Sequence, residues 1–235
     1  MPRFSLSGVT RTRPSDEVVG NEAFRVLRTN LEIALLDLEV PTIIVTSPHS
    51  GEGKTATCAQ LARSFAEAGR RVVVVDLDMR HPDLHNWFGA DNSRGASDVL
   101  NERCRLEEAV RYVEVQSLSG KTIHGLNLLS AGTSVPNPTE LLGDERTARM
   151  INALSHQADL VLIDTPPVLP VADTLVIARL AAGALLVVDD DTALDSARAV
   201  KDALTRNRAQ VLGVVLNRFE PLGGYYGYGE HPGEE

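Results

Sequence analysis

The nine residues Ser47-Pro48-His49-Ser50-Gly51-Glu52-Gly53-Lys54-Thr55 have the composition of a phosphate cradle. Glycine at 51 and 53 lets backbone N–H groups curl around anionic oxygens. A helix opening at this point adds the partial positive charge of its N-terminus. Lys54 would reach the β- and γ-phosphates of a nucleotide, and the Thr55 hydroxyl would bind Mg²⁺. The spelling departs from GxxxxGK[ST] at one place, because Pro48 stands where that pattern has its first glycine. A second Gly-Lys-Thr, at Gly120-Lys121-Thr122, has no apolar strand before it and no helical pattern after it. It reads as a surface turn.

Two further places carry charge at the end of an apolar run. Val72–Val75 leads into Asp76-Leu77-Asp78-Met79-Arg80, and Leu160–Ile163 leads into Asp164. Asp76 and Asp78 are two positions apart, so an extended chain points both carboxylates to one side. A lone aspartate after a strand is most often a turn former. Three of them beside a phosphate loop would be costly without a cation, and Mg²⁺ held by Thr55 and the carboxylates resolves that cost. His81 and His85 are four apart, but Pro82 lies between them and a third ligand is missing. They read as surface histidines.

These residues need strands to end beside one another. Thr42–Thr46, Val72–Val75, Leu160–Ile163, Ala184–Val188 and Val211–Leu216 are apolar runs without polar alternation, and Leu126–Leu129 adds a sixth. Such runs predict strands buried on both faces, as in a parallel sheet. Helical patterns fall between them at Thr55–Ala68, Thr139–His156, Thr174–Ala181 and Ala193–Asn207. The expected fold class is α/β: a doubly wound, mainly parallel sheet with helices on both faces. Ligands of such sheets bind at the carboxyl ends of the strands, where all the motifs above fall. A further helix, from about Asn21 to Leu36, precedes the first strand, with Phe24, Leu27, Leu31 and Leu35 on its apolar face. Glu22, Arg25 and Arg28 run along the flank of that face.

The 235 residues are 43% hydrophobic and 23% charged, enough for one sizeable core. The expected division is a flexible segment over 1–20, one domain over 21–220 and a Tyr/Gly-rich tail over 221–235. Lys and Arg number 23 against 32 Asp and Glu, a formal charge of −9. That balance excludes the broad basic surface of a nucleic-acid binder. Two cysteines, Cys58 and Cys104, are too few for a disulfide framework, and a reducing compartment fits best. The longest apolar run, Leu180 to Val188, is about half of the roughly 20 residues that span a membrane. The expectation is a soluble chain, unless a partner or a further segment tethers it.

Taken together, the motifs resemble those of the bacterial protein-tyrosine kinases (BY-kinases) of capsule and exopolysaccharide synthesis, within the P-loop ATPases. The likeness runs from about Asn21 to Tyr228. Gly51-Glu52-Gly53-Lys54 looks like the Walker A motif of that family. Val75-Asp76-Leu77-Asp78-Met79-Arg80 matches its Walker A′, and Leu162-Ile163-Asp164-Thr165-Pro166-Pro167 its Walker B. Glu22-Ala23-Phe24-Arg25-Val26-Leu27-Arg28 matches its E-x-x-R-x-x-R oligomerisation motif. Pro136-Asn137-Pro138 with Glu140-Leu141-Leu142 is similar too. Tyr225-Tyr226-Gly227-Tyr228 stands where the family carries its autophosphorylated cluster.

The resemblance implies ATP and Mg²⁺ as ligands and phosphorylation of tyrosines in a neighbouring subunit's tail. It places the nucleotide on Gly51, Glu52, Gly53, Lys54, Thr55 and Ala56, with adenine near Asn217 and Arg218. It gives the metal to Thr55, Asp78 and Asp164. Asp76 becomes the base toward the incoming tyrosine, and Arg80 helps order the site. A phenol of pKa about 10 is only about 0.1% ionised at neutral pH, so a positioned base is useful. Glu22, Arg25 and Arg28 become a subunit contact in a ring, of eight copies by the family's habit. The implied activator is the cytoplasmic end of a transmembrane polysaccharide co-polymerase, separate or fused upstream, at the inner face of the cell membrane.

Three of the four tyrosines lie between Tyr225 and Tyr228. Interleaved glycines make that tail flexible enough to enter a pocket. Each phosphate would add about −1.5 to −2 charges beside Glu230, Glu234 and Glu235, which predicts release of the tail and loosening of the ring. Two other functions compete. A partition or division-site ATPase switch carries a signature lysine where His49 stands. An ATP-bound scaffold of a polysaccharide export complex would not need Lys54, Asp76, Asp78 and Asp164 together.

Overall fold

The apolar runs become strands and the periodic stretches become helices. A computed structural model describes residues 5–7, 14–36, 41–116 and 122–218. In chain order the elements are β1 (Ser5–Ser7), α1 (Pro14–Ala34), β2 (Thr42–Thr46), α2 (Lys54–Glu67), β3 (Val72–Asp76), α3 (Leu84–Trp87), α4 (Ala96–Leu100) and α5 (Leu106–Ala109). They continue with β4 (Arg111–Gln116), β5 (Thr122–Leu129), α6 (Pro138–Leu142), α7 (Glu145–Ser155), β6 (Leu160–Asp164), α8 (Asp173–Ile177), β7 (Gly183–Asp189), α9 (Leu194–Arg206) and β8 (Val211–Asn217).

The strands form one sheet in the order β1-β8-β7-β2-β6-β3-β5-β4. Every pair is parallel except β4 with β5, an antiparallel edge whose register shifts between Val113 and Val115. The centre is fully buried, as continuous valine, leucine and isoleucine demand. Alternate side chains enter opposite layers. Ile43, Val45, Val72, Val74, Leu160 and Leu162 pack with Leu27 and Leu31 of α1 and Leu61 and Phe65 of α2. Ile44, Val73, Val75, Val161 and Ile163 pack with Ile151 and Leu154 of α7 and Val200 and Leu204 of α9. Burying each such side chain contributes about 1.5–3 kcal/mol.

Several elements differ from expectation. The helix expected over Thr139–His156 is two helices, because Asp144 accepts a hydrogen bond from the Arg146 N–H (2.8 Å) and starts α7 afresh. Thr174–Ala181 is a short α8 followed by a 3-10 turn over Ala178–Leu180. α1 starts at Pro14, ahead of Asn21 and inside the segment expected to be flexible. β8 is only half-buried, with Val214 37% exposed, since one strand alone separates it from the sheet edge. Thr122 of the second Gly-Lys-Thr opens β5, and the rest of that triplet lies outside the described residues. Among the described residues no helix is long and apolar enough to cross a membrane.

Candidate active site

The loop between β2 and α2 is held in shape from several directions. Gly51 and Gly53 have φ of 90° and 92°, the left-handed region that favours glycine. A Cβ on Gly53 would also run into the Asn217 side chain, whose Nδ2 donates to the Glu52 carbonyl (3.0 Å). The Ser47 hydroxyl donates to the His49 carbonyl (2.6 Å). The Glu52 carboxylate accepts from the His49 N–H (2.7 Å) and from the Thr192 hydroxyl (2.5 Å). Thr192 belongs to the turn after β7, so the loop is tied to the ends of β7 and β8. The Glu52 side chain itself is buried and braces the loop.

Lys54, first residue of α2, turns toward β3. Its Nζ lies 2.8 Å from Asp78 Oδ2 and donates to the Thr55 hydroxyl at 3.3 Å. Burial alone would lower the Lys54 pKa, but Asp164, Asp78 and Asp76 outweigh it and hold the ammonium above its ordinary value. Asp76 is fully buried, its two oxygens accepting from the N–H groups of Asp78 (3.0 Å) and Leu84 (3.2 Å). Burial, then the charge of Asp164, pushes its carboxyl well above the usual range. Asp164 is pushed up to about 6, by burial first, with Lys54 opposing. Both of its oxygens are buried and no well-formed hydrogen bond satisfies them, although the Thr55 hydroxyl is near enough to oppose the rise.

That orphaned carboxylate beside Asp78 and the Thr55 hydroxyl is a hard-oxygen environment that fits Mg²⁺. Among the described residues no three His, Cys, Asp or Glu side chains converge as a ready cage. Mg²⁺ needs none, because it keeps waters and takes one or two carboxylates together with phosphate oxygens.

A cavity of about 420 Å³ opens over this group. Gly51, Gly53, Lys54, Thr55 and Ala56 line one side, and Asp78, Arg80, His81 and Trp87 the other. Asp76 and Asp164 are not in its wall, and neither are Asn217 and Arg218. Asn217 is spent on the loop, and Arg218, at φ 56°, points to Asp189 (3.5 Å). Arg80 is fixed by a bidentate pair to the buried Asp173 (2.7 and 3.1 Å) and by the Thr139 hydroxyl (3.2 Å). His81 is exposed, and His85 has a buried Nδ1 without a partner.

Sequence reasoning missed Thr139, Asp173, Thr192 and Trp87. Pro138-Thr139 and Asp173 were legible only as helix starts. On α1, Glu22 and Arg25 form an exposed pair at 3.2 Å. Arg28, half-buried on the flank of the apolar face, turns onto α2 and donates to the Ser64 carbonyl (2.7 Å) and hydroxyl (3.4 Å). Tyr225, Tyr226 and Tyr228 lie outside the described residues.

The CobQ/CobB/MinD/ParA nucleotide binding domain matches residues 43–224. The tyrosine-protein kinase YwqD of Bacillus subtilis is 32% identical over 216 residues, 92% of this chain and 87% of that protein. The putative tyrosine-protein kinase EpsB of Ralstonia solanacearum is 36% identical over 96% of this chain, which spans only 29% of EpsB. The kinase domain of Escherichia coli tyrosine kinase ETK superposes with a TM-score of 0.82 at 26% identity, covering 96% of this chain and 94% of that one.

Proposed function

Since the chain belongs to the bacterial tyrosine-protein kinases, within the CobQ/CobB/MinD/ParA nucleotide-binding family, we propose that it moves the γ-phosphoryl group of ATP onto tyrosines of its own kind. The acceptors are Tyr225, Tyr226 and Tyr228 in the tail of a neighbouring copy. The observation that carries this reading is one cavity walled by Lys54 and Thr55 on one side and Asp78 and Arg80 on the other.

The loop's N–H groups and Lys54 bind phosphate, and its braces fix their geometry before any ligand arrives. Lys54 exchanges its contact with Asp78 for phosphate oxygens, which frees a carboxylate at the cavity. Thr55 and the otherwise unpartnered Asp164 would hold Mg²⁺, which when bound would offset the charge on the phosphate oxygens and leave Asp78 free. The phenolic proton passes to the acidic pair ending β3. Asp78 is the member that opens on the cavity, whereas Asp76 is sealed by two backbone N–H groups and keeps the segment in place. Arg80, anchored on Asp173, keeps its positive charge at the rim.

In this reading the chain acts in capsule or exopolysaccharide production, at the inner face of the membrane. A transmembrane co-polymerase, or a fused upstream segment, brings it there. Copies assemble into a ring through Glu22 and Arg25, while Arg28 holds α1 in the orientation the contact requires. The test is intact mass and peptide mapping after incubation with Mg·ATP, wild type beside Lys54→Met, with an activator peptide present. Phosphate on Tyr225, Tyr226 or Tyr228 in wild type only is the expected result. Steady release of inorganic phosphate without phosphotyrosine would replace this reading with a nucleotide switch.

A further inference from the structure

Trp87 is the only tryptophan in the chain, and none of the chemistry above uses it. It ends the four-residue α3, is 40% exposed, and lines the same cavity as the phosphate loop. Pro170 and Val171, from the segment between β6 and α8, line that cavity as well. The cavity therefore joins two chemistries, a cationic cradle of Lys54 and loop N–H groups and an apolar seat of indole, proline and valine.

The order of strands decides which ligand meets the seat. The carboxylates Asp76, Asp78 and Asp164 end β3 and β6, both on one side of β2, and Trp87 follows β3 on that same side. β7 and β8 lie on the other side. Lys54, paired with Asp78, and the carboxylate that would hold Mg²⁺ lie on the Trp87 side of β2, so a terminal phosphate bound there would leave its nucleoside to extend toward β7 and β8. What meets the seat is then the group that receives the phosphate.

We propose that Trp87, with Pro170 and Val171, seats the ring of the acceptor tyrosine and selects an aromatic hydroxyl over serine or threonine. The inference rests on the kinase reading above and deepens it. A tyrosine has an apolar body and a polar tip, and rings favour stacking on an indole. With the ring on Trp87, the hydroxyl reaches toward Asp78. In the transfer the phenolic oxygen bonds to the γ-phosphorus as the bond to the ADP oxygen breaks. ADP leaves with that electron pair, and the proton goes to the carboxylates at the end of β3. Serine has no ring to fill the seat and carries its hydroxyl one carbon from the backbone, so it gains nothing from the indole. The occupants are Tyr225, Tyr226 and Tyr228, set among glycines that let a ring enter.

The test uses the full chain carrying Tyr225→Ala, Tyr226→Ala and Tyr228→Ala, so that its own tail does not compete. The added acceptor is a peptide of residues 223–229. Adding Trp87→Ala should raise the KM for the peptide about three- to tenfold and leave the KM for ATP unchanged. Trp87→Phe should restore most of the loss. A peptide with Phe for Tyr should compete, and one with Ser should not. Because Trp87 is the sole indole, the Phe peptide should also change the protein's tryptophan emission in the presence of Mg·ADP, a readout independent of turnover. An unchanged peptide KM, equal competition by the Ser peptide, or a rise in the KM for ATP instead overturns the inference. Any of these with phosphotyrosine still formed leaves the kinase reading standing, whereas a wild-type chain that phosphorylates no tyrosine overturns both.

Discussion

Removing Arg80 should destabilise the protein through a group on another element. Asp173 has no exposed surface, and its carboxylate meets Arg80 at 2.7 and 3.1 Å together with the Thr139 hydroxyl. Truncating one partner of a buried pair typically costs about 3–5 kcal/mol, because the other charge is left without compensation. The Arg80 side chain is 34% exposed, so water can reach the vacated position, and the cost falls to about 2–3 kcal/mol. For a chain of this length that lowers Tm by about 5–10 °C. Asp173→Asn removes the buried charge while keeping its shape. In that background Arg80→Ala should cost only about 0.5 kcal/mol, which gives a coupling energy near 2 kcal/mol in a double-mutant cycle. Arg80→Lys keeps the charge but loses the fork geometry and should fall between, at about 1 kcal/mol. The assay is urea unfolding of wild type, the two single variants, the double variant and Arg80→Lys, at constant slope. If Arg80→Ala costs the same in the Asp173→Asn background as in the native chain, the pair does not hold this corner and the reasoning fails.

Gly53→Ala should abolish binding of Mg·ADP by calorimetry, because the new Cβ meets Asn217 and the φ of 92° disfavours any side chain. Adding Asn217→Ala should recover only part of it, since the backbone strain remains. Leu162→Ala, in the middle of β6 with no exposure, should cost about 2–5 kcal/mol in unfolding experiments without altering the loop. Asp98 gives a pH test. Burial would raise its pKa, but bonds from Thr133 and the Gly95 N–H, with Arg103 nearby, hold it below the usual carboxylate range. A lowered folded-state pKa means stability that is present above the unfolded pKa of about 3.9 and is lost as pH falls through the folded value. The stability gap between wild type and Asp98→Asn should therefore be full at pH 7 and shrink below about pH 4, and a gap that stays constant would contradict the assignment.

The centre of the fold was legible because its strands have one possible environment. A run such as Val72–Val75 can only be buried on both faces, and the carboxylates that follow it can only lie at a strand end. The elements that escaped were those whose reasons are tertiary. β4 turns only Val113 and Val115 to the core, too short an alternation to stand out between Arg111, Tyr112 and Glu114, and Tyr112 is 66% exposed at the sheet edge. The break at Gly143-Asp144 depends on a side-chain cap, which helical periodicity across 139–156 conceals. The three short helices between β3 and β4 are each five residues or fewer, too short to show a period.

The site divides along the same line. Lys54, Thr55, Asp78 and Asp164 were readable because their chemistry is local: a loop, a helix start and two strand ends. The intrachain contacts of Glu52 and Arg28 were not legible, since a charged side chain in a motif draws attention to a ligand or a partner first. Glu52 instead faces Thr192, 140 positions later, and Arg28 faces Ser64. For Glu52 the reason lies in the loop itself. A phosphate cradle works only if its N–H groups are already aimed, and aiming them requires carboxylate and amide partners from distant strands. Thr192 after β7 and Asn217 at the end of β8 supply that by bonding Glu52 of the loop, while Asp173 and Thr139 do the same for Arg80 across the cavity. The carboxylates between these two braced walls are left with Lys54 as the one cation paired to them at 2.8 Å among the described residues, and with Asp164 unpartnered. A nucleotide drawing Lys54 away would leave these carboxylates uncompensated, so nucleotide and divalent cation should bind together more tightly than either binds alone.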